Sequence, residues 1–219
     1  MQQPTYNPQV FNVNDIAQAM AIIMTPEGAT TAERWEKETP YLADLIAEQF
    51  DITADSLLLD YGCGIGRMSH ELIKRHNCRI VGIDISPSMR ALSVIYTRTD
   101  RFMSCSHEML EGLIARGLTF DTVLSIWVLQ HCAAPAHDIA LIRAALKPGG
   151  NLFAVNGNVR SIPTVEMGWV NDGLDIRSML SAEFEPVRDG RLAREKTTDI
   201  IADGTFWATY RRGDRRPND

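Results

Sequence analysis

Short runs of apolar residues alternate along the chain with segments whose apolar residues recur at helical spacing. The clearest run is Leu57–Leu59, which is typical of a strand buried on both faces of a parallel sheet. Met68, Leu72 and Ile73 follow it at helical spacing. Repeated alternation of this kind predicts βαβ units with right-handed crossovers and helices on both faces of the sheet.

The same alternation continues to residue 156. The predicted strands are 56–61, 79–85, 101–105, 120–127 and 151–156, and the predicted helices are 66–76, one opened by Ser86-Pro87, 106–116 and 135–146. Residues 147–150 (Lys-Pro-Gly-Gly) predict a tight turn into the last of these strands.

The C-terminal pattern is different. Residues 157–173 are rich in Gly, Asn and Pro and predict an irregular connection, which leads to a short helix at 174–182. Two strand-like stretches, 184–189 and 204–211, have no predicted helix between them and therefore predict an antiparallel hairpin that closes the edge of the sheet. The predicted fold is a doubly wound, Rossmann-like α/β sheet of seven strands, mostly parallel.

Two helical segments precede the first strand, after a loose start at residues 1–13. Asn14 is the predicted cap of the first helix, and Thr30 or Thr31 opens the second. Pro40 should kink or split the second segment. We expect both segments to form a layer or lid against the core.

The chain has 219 residues and a formal net charge of −6. The length suits one α/β domain with a full core. The negative charge argues against an extended nucleic-acid surface, which needs clustered cations. The one dense basic cluster, formed by Arg211, Arg212, Arg215 and Arg216, is interpreted as a solvated tail.

The cysteine pattern bears on metal binding and on the cellular compartment. Four scattered cysteines without a C-x-x-C pair predict neither a zinc site nor another metal site, and they fit a reducing, cytoplasmic setting. No apolar run approaches the ~20 residues that span a bilayer, and the first residues lack the pattern of a signal peptide. Nothing in the pattern indicates the oligomeric state.

Gly62, Gly64 and Gly66 occupy alternate positions directly after the strand that ends with Asp60. Glycines so placed allow a sharp turn and a close approach of ligand to backbone. The helix that follows directs its free N–H groups back at the loop. Strand, glycine loop and helix together predict a nucleotide-type site.

Four motifs in order resemble those of the class I S-adenosylmethionine-dependent methyltransferases, over roughly residues 30–212. They are Leu-Leu-Leu-Asp-Tyr-Gly-Cys-Gly-Ile-Gly, Val-Gly-Ile-Asp-Ile-Ser, Phe-Asp-Thr-Val-Leu-Ser-Ile-Trp-Val-Leu-Gln-His and Leu-Lys-Pro-Gly-Gly. The resemblance implies S-adenosylmethionine as cofactor. It divides the chain into an N-terminal helical lid (1–50), a methyltransferase domain (51–212) and a flexible tail (213–219).

The resemblance also implies roles for residues in the first two motifs. Asp84 ends the second strand and should accept hydrogen bonds from the ribose hydroxyls, as acids do in dinucleotide folds; a solvated strand-end acid is the alternative. Asp60 should accept from the cofactor's ammonium group or order the loop. Gly62 and Gly64 should lie against the methionine portion, and Ile85 on the adenine face.

The chain departs from the family after the third strand, where many relatives carry an acid. Ser104 and Cys105 stand in this region, so adenine recognition is assigned to a Ser hydroxyl or to backbone groups. Ser125, Ile126 and Trp127 end the fourth strand and resemble the stretch that contacts the methionine part.

His131 follows one turn later and is the candidate for a group near the transferred methyl; capping or packing is the alternative. Arg34 and Trp35 are the candidates for closing over the cofactor, with Arg34 answering its carboxylate, although packing of their helix on the core explains them equally well.

The acceptor pocket should involve the N-terminal helices, His131 and the 157–173 connection. Asn156, Asn158 and Trp169 are candidate acceptor contacts, and solvated loop polarity is the alternative for each. No Asn-Pro-Pro-Tyr or Asp-Pro-Pro-Tyr follows the fourth strand, which argues against methylation of DNA bases or glutamine. A small-molecule acceptor, methylated on oxygen or nitrogen by in-line displacement, is therefore expected.

Two other functions are compatible with parts of the pattern. A nicotinamide-dependent oxidoreductase would share the glycines and Asp84, but the acid before the glycines and the C-terminal hairpin favour a methyltransferase. A non-catalytic S-adenosylmethionine-binding regulator or scaffold would share most of the cofactor residues, so the sequence leaves it open.

Overall fold

The computed structural model of the protein describes residues 4–214. Its helices are α1 Ile16–Ile23, α2 Thr31–Gln49, α3 Arg67–His76, α4 Pro87–Thr97, α5 His107–Ala115, α6 Pro135–Ala145, α7 Ile176–Glu183 and α8 Asp199–Gly204. Its strands are β1 Leu57–Tyr61, β2 Arg79–Ile83, β3 Phe102–Cys105, β4 Phe120–Ile126, β5 Leu146–Gly157, β6 Ile162–Thr164, β7 Gly168–Val170, β8 Glu185–Gly190 and β9 Thr205–Arg211. Short 3-10 helices lie at Pro8–Phe11, Leu129–His131 and Arg194–Lys196.

The described residues form a seven-stranded sheet in the order β3-β2-β1-β4-β5-β9-β8. Strands β1 to β5 are parallel, whereas β9 runs antiparallel to β5 and to β8. The strand order reverses between β1 and β4, which is where open α/β sheets bind ligands. The predicted doubly wound, mostly parallel fold is confirmed.

Alternate residues of β1 face opposite layers of helices. Leu59 and Tyr61 lie in the core beneath α5 and α6, and Leu58 lies in the core beneath α2 and α3. Asp60 shares the side of Leu58, so its carboxylate points toward α3. Because successive side chains of β1 point to opposite faces, Asp60 and Tyr61 lie on different sides of the sheet.

The C-terminal strands pair as predicted, but β9 lies inside the sheet and β8 forms the edge. The prediction that no helix separates the two strands was wrong, because α8 and a 3-10 turn come between them. Thr198 caps α8 by accepting a hydrogen bond from the Ile201 amide, a local signal in a segment that otherwise looks only charged.

The N-terminal helices differ from prediction at two points. Asp15, rather than Asn14, caps α1 by accepting from the Gln18 amide. Pro40 does not split α2, which runs continuously past it because the apolar face of the helix packs against α3. Thr30 and Glu33 start α2 with a reciprocal capping box.

Residues 4–13 are ordered by the connection that was predicted to be irregular. That connection contains a hairpin, β6–β7, and Tyr6 forms an antiparallel bridge with Thr164. The Asn7 amide donates to the Pro163 carbonyl at 2.9 Å. We call residues 4–24, which run from this hairpin to the end of α1, the N-terminal arm.

The predicted basic tail extends past the described part of the chain, since residues 215–219 lie outside it. The proposed division at residues 50 and 212 stays a prediction. Within residues 4–214, no helix is both long enough and apolar enough to cross a membrane.

Candidate active site

The glycine loop folds tightly over the end of β2. The amides of Gly62 and Cys63 both donate to the Ile83 carbonyl at 2.8 Å, and Gly62 and Gly64 adopt φ values of +77° and +53°. A Cβ on Gly64 would lie 2.6 Å from Cδ1 of Ile23 in α1. The end of the N-terminal arm therefore lies against the loop, and only glycine fits there.

Asp84 joins the glycine loop to the end of β2. Its carboxylate accepts from the Gly64 amide at 2.9 Å and from the Ser86 amide at 2.8 Å. Burial raises the pKa of Asp84, and these two amides oppose that effect. The predicted ribose acid thus lies buried beside the glycines, with Ile85 next to it 42% exposed.

Asp60 points away from Asp84 and into the layer beneath α3. It accepts from the Ser69 hydroxyl at 2.6 Å and is 4% exposed. Burial raises its pKa to about 6, while the Ser69 hydrogen bond and the charge of Arg67 act in the opposite direction. This contact ties Asp60 to α3, the helix that follows the glycine loop, and both roles left open for Asp60 stay predictions.

Arg34 is held by neighbours in its own layer. Its guanidinium donates to Glu38 at 2.7 and 3.0 Å and to the Thr25 carbonyl, and Glu38 also accepts from Thr197 at 2.7 Å. The Trp35 ring contacts Tyr96 edge-on rather than an open cleft. Both assignments to the cofactor stay predictions.

The end of β4 carries a strained residue. Ser125 is buried in register with Tyr61, and Ile126 continues the strand. Trp127 then adopts φ +56°, which is uncommon for a bulky side chain. Its indole lies about 6 Å from the guanidinium groups of Arg34 and Arg67.

Two buried polar atoms in this region have no protein partner: Nε1 of Trp127 and Oγ of Ser104. Buried donors are normally paired, so they are places where a bound molecule would supply the missing partner. Cys105 faces the other side of β3 and lies in the core. The Ser106 hydroxyl, which was not predicted, caps α5. With the glycine cradle and Asp84, these features fit a nucleoside cofactor.

His131 lies on the 3-10 turn after β4 with both ring nitrogens engaged. Nδ1 is 2.6 Å from the Ser161 carbonyl, which can only accept, so Nδ1 carries the proton. Nε2 then accepts from the side-chain amide of Gln130 at 3.1 Å. Burial lowers the pKa of His131, and the charge of Arg160 lowers it further. His131 is therefore a neutral imidazole with its lone pair at Nε2.

The predicted acceptor residues divide into two kinds. The Asn156 side chain is 1% exposed and accepts from the backbone amide of Gln130. The Asn158 side chain donates to the Asp203 carbonyl. Trp169 is 54% exposed, and its ring centroid lies 5.4 Å from that of His131 and 6.2 Å from that of Phe11. Only Trp169 joins His131 at a surface.

Two aromatic residues at the site, both on the N-terminal arm, were not predicted. Tyr6 and Phe11 come from the N-terminal arm, and burial together with nearby Cys132 and Asp138 raises the pKa of the Tyr6 phenol. Arg160 donates to the carbonyls of Leu129 and Cys132 on either side of His131. The arm reaches the site through pairing with a distant hairpin, for which periodicity gives no signal.

Comparison with known proteins gives a consistent result. Residues 59–154 match the family model described as a methyltransferase domain. The chain is 31% identical to tRNA U34 carboxymethyltransferase from Cellvibrio japonicus over 57% of its length and 38% of the relative. It is 30% identical to ubiquinone biosynthesis O-methyltransferase from Cereibacter sphaeroides over 59% of its length and 57% of the relative.

Among solved structures, the fold is similar to that of N-methyltransferase NodS from Bradyrhizobium japonicum in complex with S-adenosylhomocysteine. The TM-score is 0.64, the identity is 16%, and the match covers 89% of this chain and 97% of the other. At that identity the likeness concerns the fold. The matches to the two curated relatives cover less than two thirds of their lengths.

Proposed function

We propose that the chain is a class I S-adenosylmethionine-dependent methyltransferase that transfers a methyl group from S-adenosylmethionine to an oxygen or nitrogen atom of a small-molecule acceptor. The observation that carries the proposal is the contact of the buried Asp84 carboxylate with the Gly64 amide, at the carboxyl ends of β2 and β1 and next to the point where the strand order reverses. The relatives act on different acceptors by name, so the acceptor is argued from this chain's own residues.

The donor would be held by Asp84 on the ribose, by Gly62 and Gly64 along the methionine portion and by Ile85 against adenine. S-Adenosylmethionine supplies a methyl group already activated by the sulfonium, and the leaving thioether is neutral. The protein's main contribution is then alignment of the acceptor and exclusion of water. The N-terminal arm supports that role because it covers the glycine loop at one end and pairs with the β6–β7 hairpin at the other.

The acceptor side centres on His131. A hydroxyl acceptor must lose a proton, whereas a neutral amine can attack directly. Nε2 of His131 would take that proton once the acceptor has displaced the side-chain amide of Gln130. The Ser161 carbonyl, which accepts from Nδ1–H, would stabilise the resulting imidazolium. A small-molecule acceptor is supported by the negative net charge and by the enclosure of His131 between the arm and the hairpin.

Binding of S-adenosylhomocysteine is the first test. At ~100 times its dissociation constant it should add ~2.7 kcal/mol to the free energy of unfolding, which is a rise of roughly 5–10 °C in melting temperature for a chain of this size. Asp84→Ala should abolish most of the rise, and Asp55→Ala, which changes an exposed acid, should preserve it. A rise with NAD but none with S-adenosylhomocysteine would refute the proposal.

A non-catalytic S-adenosylmethionine-binding regulator is the second candidate, supported by the closed arrangement of the arm over the loop. Incubation with methyl-labelled donor and fractionated metabolite extract separates the two functions. Label in one acceptor pool supports the enzyme. Tight cofactor binding without label in any fraction supports the regulator.

A further inference from the structure

The surface outside His131 is unusually apolar. Five residues of the connection and the segment after it expose between 46% and 67% of their surface: Val159, Val165, Met167, Trp169 and Leu174. Three of them, Val165, Met167 and Trp169, occupy the tip and returning strand of the β6–β7 hairpin. We call these three residues the hairpin patch. Grouped exposed apolar residues commonly mark a binding surface.

The hairpin patch is continuous with the candidate acceptor site. The Trp169 ring contacts the His131 ring on one side and the Phe11 ring on another. Phe11 contacts His131 as well, at a centroid distance of 6.0 Å. A molecule whose reactive atom reaches His131 would therefore contact Trp169, which follows the exposed hairpin tip that carries Val165 and Met167.

The one cation of the connection, Arg160, is already paired within the protein. Arg160, 3% exposed, donates to Asp172 at 2.8 and 3.0 Å as well as to backbone carbonyls. Glu166 accepts from the Thr5 amide at 2.8 Å. An anionic acceptor would therefore have to displace Asp172 from Arg160.

The polar side chains around His131 are satisfied in the same way. The side-chain amide of Gln130 accepts from the Gly157 backbone amide and donates to His131. The Asn156 side chain accepts from the backbone amide of Gln130 and donates to the Gly157 carbonyl. His131 itself is neutral in this setting. The groups left to contact an acceptor here are mainly aromatic rings and aliphatic surface.

We propose that the acceptor is an uncharged, amphipathic molecule whose hydroxyl or amine reaches His131 while its apolar portion lies on the hairpin patch. This inference rests on the proposed function and specifies the acceptor class for the same site. Nucleotides and RNA are disfavoured because Arg160, the cation beside His131, is already paired with Asp172 and is not free to bind their phosphates. The apolar portion would gain affinity in proportion to the surface it buries.

The test uses 4-alkylphenols as probes, because they carry a neutral hydroxyl and a chain of adjustable length. Calorimetric titration of 4-ethyl-, 4-butyl- and 4-hexylphenol into protein saturated with S-adenosylhomocysteine should show the dissociation constant falling about two- to fourfold per added methylene. Tyrosine, a charged analogue, should bind more weakly than 4-ethylphenol.

The variant Met167→Ser should weaken the dependence on chain length, because it removes apolar surface from the hairpin patch. Val187→Ser is the matched control, since Val187 is 58% exposed but lies on β8. Both side chains are exposed, so neither change should shift the melting temperature by more than about 2 °C. Equal chain-length dependence in the two variants would overturn the inference.

Two further outcomes separate the possibilities. An affinity for 4-alkylphenols that does not change with alkyl length refutes the inference. If the protein then sediments with phosphatidylcholine vesicles, the hairpin patch is reassigned to binding a lipid surface. Absence of S-adenosylhomocysteine binding refutes the proposed function itself. Cofactor binding with unchanged affinity along the phenol series refutes only the acceptor class.

Discussion

Replacing Asp60 by asparagine should stabilise the cofactor-free protein at neutral pH. The carboxylate is 4% exposed, and its position beside the glycine loop deprives it of water. Burial raises its pKa from 3.8 to about 6, even though Ser69 donates a hydrogen bond to it. An asparagine keeps an acceptor for Ser69 without a buried charge, so the substitution isolates the effect of ionisation.

The magnitude follows from the two pKa values. The unfolded chain releases the proton near pH 3.8, whereas the folded protein holds it until about pH 6. Stability is therefore lost as the pH rises through this window, by about 3 kcal/mol at pH 7. Asp60→Asn should recover up to about 3 kcal/mol at pH 7, or roughly 6–12 °C in melting temperature, and close to nothing below pH 4.

Urea denaturation of both proteins between pH 4 and 7, followed by tryptophan fluorescence, measures the difference directly. Asp55→Asn, at an exposed acid, controls for the general effect of removing one negative charge. A difference that does not depend on pH, or an Asp60→Asn protein less stable than the parent at pH 7, would contradict the reasoning. Weaker S-adenosylhomocysteine binding by the stabilised variant would show that the buried charge serves the cofactor site.

Two other substitutions test buried charges. Glu38→Gln should lower the free energy of unfolding, measured by urea denaturation, by about 3–5 kcal/mol, because Arg34 then keeps a buried charge without its partner. Glu36→Gln, at an exposed position of the same helix, should lower it by nearly nothing. Equal effects of the two substitutions would show that the Arg34–Glu38 pair does not stabilise the fold. Arg160→Met should raise the pKa of His131 in a histidine NMR titration, since the guanidinium disfavours the imidazolium, and Arg177→Met, in a surface ion pair, should leave it unchanged. An unchanged His131 pKa in Arg160→Met would show that the Arg160 charge does not act on the imidazole.

Local sequence patterns were enough to predict where the glycine loop and Asp84 lie in the fold. The run Leu57–Leu59 and the glycines after it define strand, loop and helix within a dozen residues, and Asp84 lies at the end of the adjacent parallel strand. Parallel register brings these positions together without knowledge of the rest of the chain. Asp60 was placed near the end of β1, beside the glycine loop, but its contact with Ser69 depends on which side of β1 it faces.

The acceptor half depends on contacts between distant parts of the chain. Tyr6 meets Thr164 through a single antiparallel bridge, and neither segment shows a clear period of 2 in its sequence. Asn156 was predicted to contact acceptor, but it lies on β5, where it is turned inward and bonds the backbone of Gln130. The pair Arg34 and Glu38 was visible at i,i+4 spacing and could have indicated an ion pair within α2.

The N-terminal arm links the two halves of the candidate site. Ile23 lies against Gly64, Asn12 accepts from the hydroxyl of Ser86, two residues after Asp84, and Phe11 lies against His131. Any movement that opens the glycine loop therefore moves a wall of the acceptor site. Occupation of the donor site and the shape of the acceptor site are then coupled through a single segment, because a ligand that favours one position of the arm changes affinity at both ends. If the arm moves when the donor binds, acceptor affinity should differ with and without S-adenosylhomocysteine, so the two ligands have to be studied together.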